Sequence, residues 1–295
     1  MRPLTGVVPA LLTLLADGGR TVDLSLLDAH VAWLHERGIR AVSPLGTTGE
    51  GVSLALDERM EVIERLTAHR AGMAVIPGTG CTALPETIEL SRFAAERGAA
   101  ALLLAPPSYY DPFDVRGVTA YFEAVFEALP SSSRVLLYNI PRHTGIPIED
   151  ETLRALGERF GRMLAGMKDS GGDFNRTRRW VRDFPELAIF NGSDASAAAA
   201  FDGGCAGVIT MLGNAFPDEL EGIRRGDDVE RRQSFLASVR ALVHELPRHA
   251  ALKHLLHLVS GLPRSFVRAP LQELDDEQAA MLESRYSELR REAHV

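Results

Sequence analysis

The segment GMKDSGGD (166–173) places a lysine, Lys168, after the apolar run MLAGM and just before a glycine-rich turn. A solvated lysine needs no such setting. An amine nucleophile does, because partial burial disfavours the ammonium form and frees the lone pair. A lysine at a strand end also serves as an ion-pair partner or a solvated edge residue, so the rest of the chain has to decide. Segments of matching kind recur. PLGTTGEG (44–51) sets two adjacent hydroxyls, Thr47 and Thr48, between glycines whose exposed N–H groups make a cup for a small carboxylate or oxyanion. PPSYYDP (106–112) carries Tyr109 and Tyr110, and YNIPRHTG (138–145) carries Tyr138. PGTG (77–80) reads as a plain turn, NGSD (191–194) follows another apolar run, and GVITML brings Ile209 and Thr210 to a strand end.

Other chemistries lack their parts. No His, Asp and Glu cluster of metal-ligand character stands at these positions, which argues against a metal-dependent aldolase. His254 and His257 are three apart in a helical segment with no acidic third ligand near, so packing or surface is the plainer role. There is no GxSxG elbow. Gly203 and Gly204 precede the last strand and cap a helix rather than cradle a phosphate. The remaining parts are a lysine, tyrosines, threonine hydroxyls and an oxyanion cup. They suit imine chemistry: an amine attacks a ketone, a hydroxyl shuttles protons, and a hydroxyl and amide pocket holds the carboxylate of a 2-oxo acid. Such chemistry calls for no cofactor and no metal.

The elements that must position these residues follow a regular plan. Eight short apolar runs alternate with amphipathic stretches: GVVPALLTLL, IRAVSPLG, MAVIPGTG, AAALLLAPP, RVLLYNIP, MLAGMKDS, LAIFNGSD and CAGVITML. Runs that are apolar throughout mark strands buried on both faces, hence a parallel sheet. The stretch 23–37 has Leu24, Leu27, Val31 and Leu34 on one helical stripe and ends at Gly38; 57–69 and 84–97 repeat the pattern. Eight βα units argue for a closed (β/α)8 TIM barrel, with a doubly wound open sheet as the alternative. No dinucleotide-type glycine fingerprint follows the first strand, which favours the barrel. Residues 1–225 make the barrel. From about 226 the strand signal stops, and 227–246, 248–260 and 276–292 read as a C-terminal helical region packed on it. In a barrel the catalytic end is the C-terminal end of the strands, where all the segments above fall.

Composition sets outer bounds. The 295 residues are 45% hydrophobic and 24% charged, with a net charge of −8. No basic cluster has the look of a nucleic-acid footprint, and the arginines of 176–182 are spaced as on an exposed helix face. Cys81 and Cys205 form no CxxC pair. The apolar stretch 7–15 is interrupted by Pro9 and too short to span a membrane, and no signal-type leader precedes it. The expectation is a soluble cytoplasmic protein with small-molecule partners.

GTTGE, YNIPRHTG and GMKDSGGD, in that order on strands two, five and six, resemble the dihydrodipicolinate synthase/N-acetylneuraminate lyase family, and the likeness extends to PSYYDP, GVITMLGN and SFVRAPL. It covers essentially the whole chain. The resemblance implies a class I aldolase-type enzyme that binds pyruvate, or a 2-oxo acid yielding it, as a Schiff base. It makes Lys168 the imine-forming lysine and Tyr138 the proton-transfer residue. Thr47 and Tyr110 complete a hydroxyl relay, Tyr110 reaching in from a neighbouring subunit of a homo-oligomer, a dimer or tetramer. Thr48 holds the pyruvate carboxylate, and the Ile209 carbonyl faces the site.

Two departures bear on the substrate. Family members that make dihydrodipicolinate carry an arginine after YNxP that binds the carboxylate of aspartate semialdehyde; here that place holds His143, with Arg142 before it. Their Asn-Pro-Ile-Pro-type segment before a C-terminal lysine is replaced by RHAALK (248–253). Leu56 and Arg59 stand where lysine-inhibited members place histidines, so lysine feedback is not expected. Arg142 would point away from the site and His143 would hold a carboxylate poorly, so a hydroxylated 2-oxo acid or sugar acid and its aldehyde product suit the site better than aspartate semialdehyde. The alternatives are a true 4-hydroxy-tetrahydrodipicolinate synthase in which Arg142 substitutes, a dehydratase on the same imine, or a catalytically idle ligand-binding protein on this scaffold.

Overall fold

A computed structural model describes residues 4–69, 72–110 and 114–293. Asp111 and Pro112 of PPSYYDP lie outside the described residues. Among the described residues ten strands occur in chain order: β1 (Gly6–Pro9), β2 (Leu15–Ala16), β3 (Thr21–Val22), β4 (Ala41–Val42), β5 (Ala74–Val75), β6 (Leu102–Leu104), β7 (Val135–Asn139), β8 (Leu164–Asp169), β9 (Ala188–Asn191) and β10 (Gly207–Thr210). β2 and β3 form a small antiparallel hairpin. Each of the other eight comes from one of the eight apolar runs.

The expected single eight-stranded ladder is not what forms. The regular sheet has six strands in the order β1-β10-β9-β8-β7-β6, all parallel, and β4 and β5 make a separate parallel pair. Isolated backbone bonds join the two sheets. On one side Leu11 N–H donates to Ser43 O at 2.8 Å and Ser43 N–H to Pro9 O at 2.9 Å. On the other, Leu103 N–H donates to Pro77 O at 2.8 Å and Thr79 N–H to Leu103 O at 3.1 Å. Proline explains the interruption. Pro44 and Pro77 follow β4 and β5 closely, and a residue without an N–H cannot extend a ladder.

Both faces of the parallel sheet are buried, as its apolar runs require. Val7, Leu102, Val135, Leu137, Met167 and Val208 belong to the large core beneath the helices. Alternate residues, among them Val8, Leu103, Leu136, Tyr138, Phe190 and Ile209, form a second cluster on the other face. Glycine is obligatory where strands crowd: a Cβ at Gly166 would lie 2.1 Å from the carbonyl oxygen of Ala188 on β9. The helices are stopped and started by the expected devices. Asp23 caps Leu24–Glu36 by accepting from Leu26 N–H, and Asp173 caps Phe174–Asp183 by accepting from Asn175 and Arg176 N–H. Beyond residue 226 come the helices Val229–His244, Arg248–Ser260 and Asp276–Glu292. Leu236, Val239 and Leu255 share the large core with Val7 and Val135, and the Phe216 and Phe235 rings meet edge-on at 5.5 Å. Among the described residues no helix is long and apolar enough to cross a membrane.

Candidate active site

β7 and β8 bring the lysine and the tyrosine together. Tyr138 and Lys168 are directly paired in the parallel register, so their side chains leave the sheet on the same face. Lys168 Nζ lies 4.2 Å from the centroid of the Tyr138 ring. Both side chains are buried. Thr47, in the turn after β4, places its Oγ1 3.4 Å from the Tyr138 hydroxyl. The environment of that phenol is mixed. Burial pushes its pKa up, but the Lys168 charge and hydrogen bonding with Thr47, Lys168 and Ser170 outweigh burial, and the net direction is down from the ordinary 10. A phenol so placed gives up its proton more readily than a free tyrosine.

These groups line a cavity of about 270 Å³ at the C-terminal ends of the strands. Six of the seven residues singled out in the sequence line it: Thr47, Thr48, Tyr138, His143, Lys168 and Ile209. Tyr110 does not. It is 71% exposed and stacks edge-on with Tyr109, their centroids 5.5 Å apart. The His254 and His257 side chains take up structural bonds, to Glu283 Oε1 at 2.8 Å and to the Leu262 carbonyl at 2.7 Å.

A layer of buried polar groups holds the site in place. Asp169, next to Lys168, accepts from Asn139 Nδ2 at 2.7 Å, from Gly171 N–H at 2.9 Å and from Thr177 Oγ1 at 2.5 Å. These bonds tie the ends of β7 and β8 to the helix that follows. The GTTGE turn is anchored from several directions. Thr13 Oγ1 donates to Gly49 O at 2.6 Å, and His249 Nε2–H donates to Thr47 O at 2.9 Å. Glu50 forms a fully buried ion pair with Lys253, Oε1 to Nζ 2.6 Å, and accepts from Arg268 N–H at 2.9 Å. Burial lowers the Lys253 ammonium pKa and the Glu50 carboxylate opposes it. A Cβ at Gly51 would stand 2.0 Å from Leu45 O, so the turn closes only with glycine there.

The structure corrects the expectation for the far side of the site. Arg142 does not point away; it lines the cavity together with Arg240 and Arg248, which the sequence reading left out. All three depend on long-range packing, since Arg142 follows β7 while Arg240 and Arg248 come from the C-terminal helices. One local signal was available. Arg248 is the first residue of its helix, where the positive end of the helix dipole disfavours a cation. His143 lies beside these charges. Burial first, then Arg142, Arg248 and His249, lower its pKa.

Comparison with known proteins gives a consistent result. The model of the dihydrodipicolinate synthetase family matches residues 3–289. A DapA-like lyase of Chloroflexus aurantiacus is 40% identical over 288 residues, covering 96% of each chain. The 2-dehydro-3-deoxy-D-gluconate/2-dehydro-3-deoxy-phosphogluconate aldolase of Thermoproteus tenax is 32% identical over 272 residues, 90% of this chain and 85% of its own. The crystal structure of YagE, a dihydrodipicolinic acid synthase family protein of E. coli K12 in complex with pyruvate, superposes with a TM-score of 0.89 at 25% identity, covering 97% of this chain and 98% of that one. The chain belongs to the dihydrodipicolinate synthetase family of lyases and aldolases.

Proposed function

We propose that the protein is a class I, Schiff-base lyase or aldolase with pyruvate as the imine-bound component, acting on a hydroxylated 2-oxo acid or sugar acid. Its scaffold is a (β/α)8 barrel whose ring is completed by the backbone bonds from β1 to β4 and from β5 to β6. The observation that carries the reading is the position of Lys168 Nζ over the Tyr138 ring, with Thr47 within reach of the phenol. The Lys168 amine attacks the C2 carbonyl of pyruvate. Tyr138 passes a proton to the departing hydroxyl, water leaves, and the imine forms. Loss of a proton from C3 gives an enamine, whose C3 attacks the aldehyde carbon while the aldehyde oxygen takes up a proton. Hydrolysis returns the amine and the 2-oxo acid. Run in reverse, the protonated imine accepts the electron pair of the breaking C3–C4 bond. Thr48 and Thr47 with their backbone N–H groups hold the carboxylate. The exposure of Tyr110 supports its use across a subunit boundary, completing the relay in a neighbouring chain of a homo-oligomer.

Borohydride trapping tests the reading. With pyruvate present, reduction should leave a pyruvyl group on Lys168 and abolish activity, and Lys168→Ala should take up none. An adduct on a different lysine, or no adduct, refutes it. A second reading, condensation of pyruvate with aspartate semialdehyde, is favoured by one observation: Arg142 lines the cavity and can offer that aldehyde's carboxylate a guanidinium. A steady-state comparison of aspartate semialdehyde with neutral hydroxylated aldehydes separates the two.

A further inference from the structure

The turn that carries Thr47 and Thr48 does not hold its shape unaided. Leu45 and Glu50, which bracket the pair, have φ of 62° and 53°, left-handed backbone that a Cβ disfavours. The hold comes from the C-terminal region. His249 and Lys253 stand four apart in the helix Arg248–Ser260 and so share one face. Lys253 Nζ reaches Glu50 Oε1 at 2.6 Å, and His249 Nε2–H reaches the Thr47 carbonyl oxygen at 2.9 Å. Because that partner is an acceptor, the neutral ring carries its proton on Nε2. Burial lowers the His249 pKa, against the opposing pulls of the Thr47 carbonyl and Glu50, so the ring donates as a neutral group at pH 7.

Peptide geometry carries the effect one bond further. The Thr47–Thr48 bond is trans, and in a trans peptide the C=O and the N–H that follows it point in opposite directions. Thr47 and Thr48 line the cavity, whereas His249 is not among its lining residues. A carbonyl drawn back to His249 therefore turns the Thr48 N–H to the cavity side. Among the described residues no backbone carbonyl takes that N–H. Donation into the Thr47 carbonyl also polarises the peptide and strengthens the Thr48 N–H as a donor. We infer that His249 is a positioning residue for the substrate carboxylate: by holding the Thr47 carbonyl it fixes the plane of this peptide and aims the Thr48 N–H at the carboxylate of the 2-oxo acid. The inference rests on the proposed function for where that carboxylate lies, but its binding does not require the imine.

Pyruvate alone suffices for the test. In D2O an imine on Lys168 loses a proton from C3 of the bound pyruvate and the enamine takes back a deuteron, so the methyl proton signal decays with each cycle. The native protein is compared with His249→Leu, which removes the donor, and His249→Gln, whose amide N–H stands near the place of Nε2. His249→Leu should raise the half-saturating pyruvate concentration roughly tenfold. The exchange rate at saturation should move less than about threefold, because a carboxylate contact made equally before and during reaction acts on binding. His249→Gln should restore most of the affinity. Should His249→Leu not fold, His249→Asn, whose shorter amide falls short of the carbonyl, takes its place. An unchanged half-saturation without the donor, an equal loss in both variants, or a loss confined to the saturated rate overturns the inference; a ring needed only for packing gives the equal loss. Ligand-observed NMR of pyruvate with Lys168→Ala, which forms no imine, and with Lys168→Ala/His249→Leu and Lys168→Ala/His249→Gln separates this role from the imine chemistry. The leucine double variant should bind roughly tenfold more weakly than Lys168→Ala, and the glutamine one nearly as well. That pattern, with no exchange and no borohydride adduct in the native protein, would sink the Schiff-base reading and keep the role of His249. Exchange and trapping on Lys168 with a pyruvate affinity indifferent to position 249 would do the reverse, and no pyruvate binding by any of these proteins would overturn both.

Discussion

Acidification to pH 5 should destabilise the fold through His30, which is not among the residues lining the cavity. His30 lies in the helix Leu24–Glu36 and is fully buried. Its Nε2 is 3.1 Å from the carbonyl oxygen of Asn214, and its Nδ1 has no partner. The ring is therefore neutral with the proton on Nε2, which donates to the carbonyl. A second proton would create a buried charge and an N–H with no acceptor. Burial accordingly lowers the pKa from 6.5 to about 4, against the opposing pull of the Asn214 carbonyl. The sign follows from which state binds the proton first. As the pH falls through 6.5 the unfolded chain takes up a proton that the folded chain refuses until about 4, so stability present above 6.5 is lost across that window. The gap corresponds to about 3 kcal/mol in all and about 2 kcal/mol by pH 5. The loss bears on the site because Asn214 is a latch. Its Nδ2 donates to Ala10 O and to Met211 O, each at 2.8 Å, and its Oδ1 accepts from Leu12 N–H at 3.0 Å. Ala10 and Met211 both line the cavity. Urea unfolding of the protein and of His30→Gln, measured at about pH 7.5 and pH 5, checks the argument. Glutamine can still donate to Asn214 but does not titrate. The advantage of the native residue at the higher pH should shrink by about 2 kcal/mol at the lower. The other histidines titrate alike in both proteins, so parallel losses in the two would refute the reasoning.

The remaining expectations concern the site and its supports. Tyr138→Phe should lose roughly a hundredfold or more in turnover while pyruvate is still trapped by borohydride, and an unchanged turnover would remove Tyr138 from proton transfer. Lys253→Met leaves the Glu50 carboxylate buried beneath the GTTGE turn without its ion-pair partner, which should cost about 3–5 kcal/mol in denaturant unfolding; a loss under about 1 kcal/mol would show that Glu50 is protonated or resolvated there. If Tyr110 completes a neighbour's relay, specific activity should fall on dilution in step with dissociation seen by sedimentation, and a fully active monomer would contradict that role.

How much of this was legible in the sequence depended on the range of the interaction. The eight parallel strands were readable because strands buried on both faces must be apolar throughout, as in VLLYN of β7. The meeting of Lys168 and Tyr138 was readable for a related reason, since adjacent parallel strands place both at the same depth and on the same face. The break of the ladder into six strands and two was less visible. Pro44 and Pro77 were in plain view as turn formers, but their effect on the pairing of β4 and β5 depends on which neighbours those strands face. The rim was hardest to foresee. A histidine at position 143, in place of arginine, predicts a weak hold on a second anion only if charge at the rim belongs to that one position. Arg142 enters from the same turn, Arg240 from a helix in the large core, and Arg248 from a helix start whose dipole disfavours it. The pocket thus gains by packing the cations that position 143 does not supply. Its preference for a substrate has to be derived from the summed charge around the cavity, which no single position in YNIPRHTG determines.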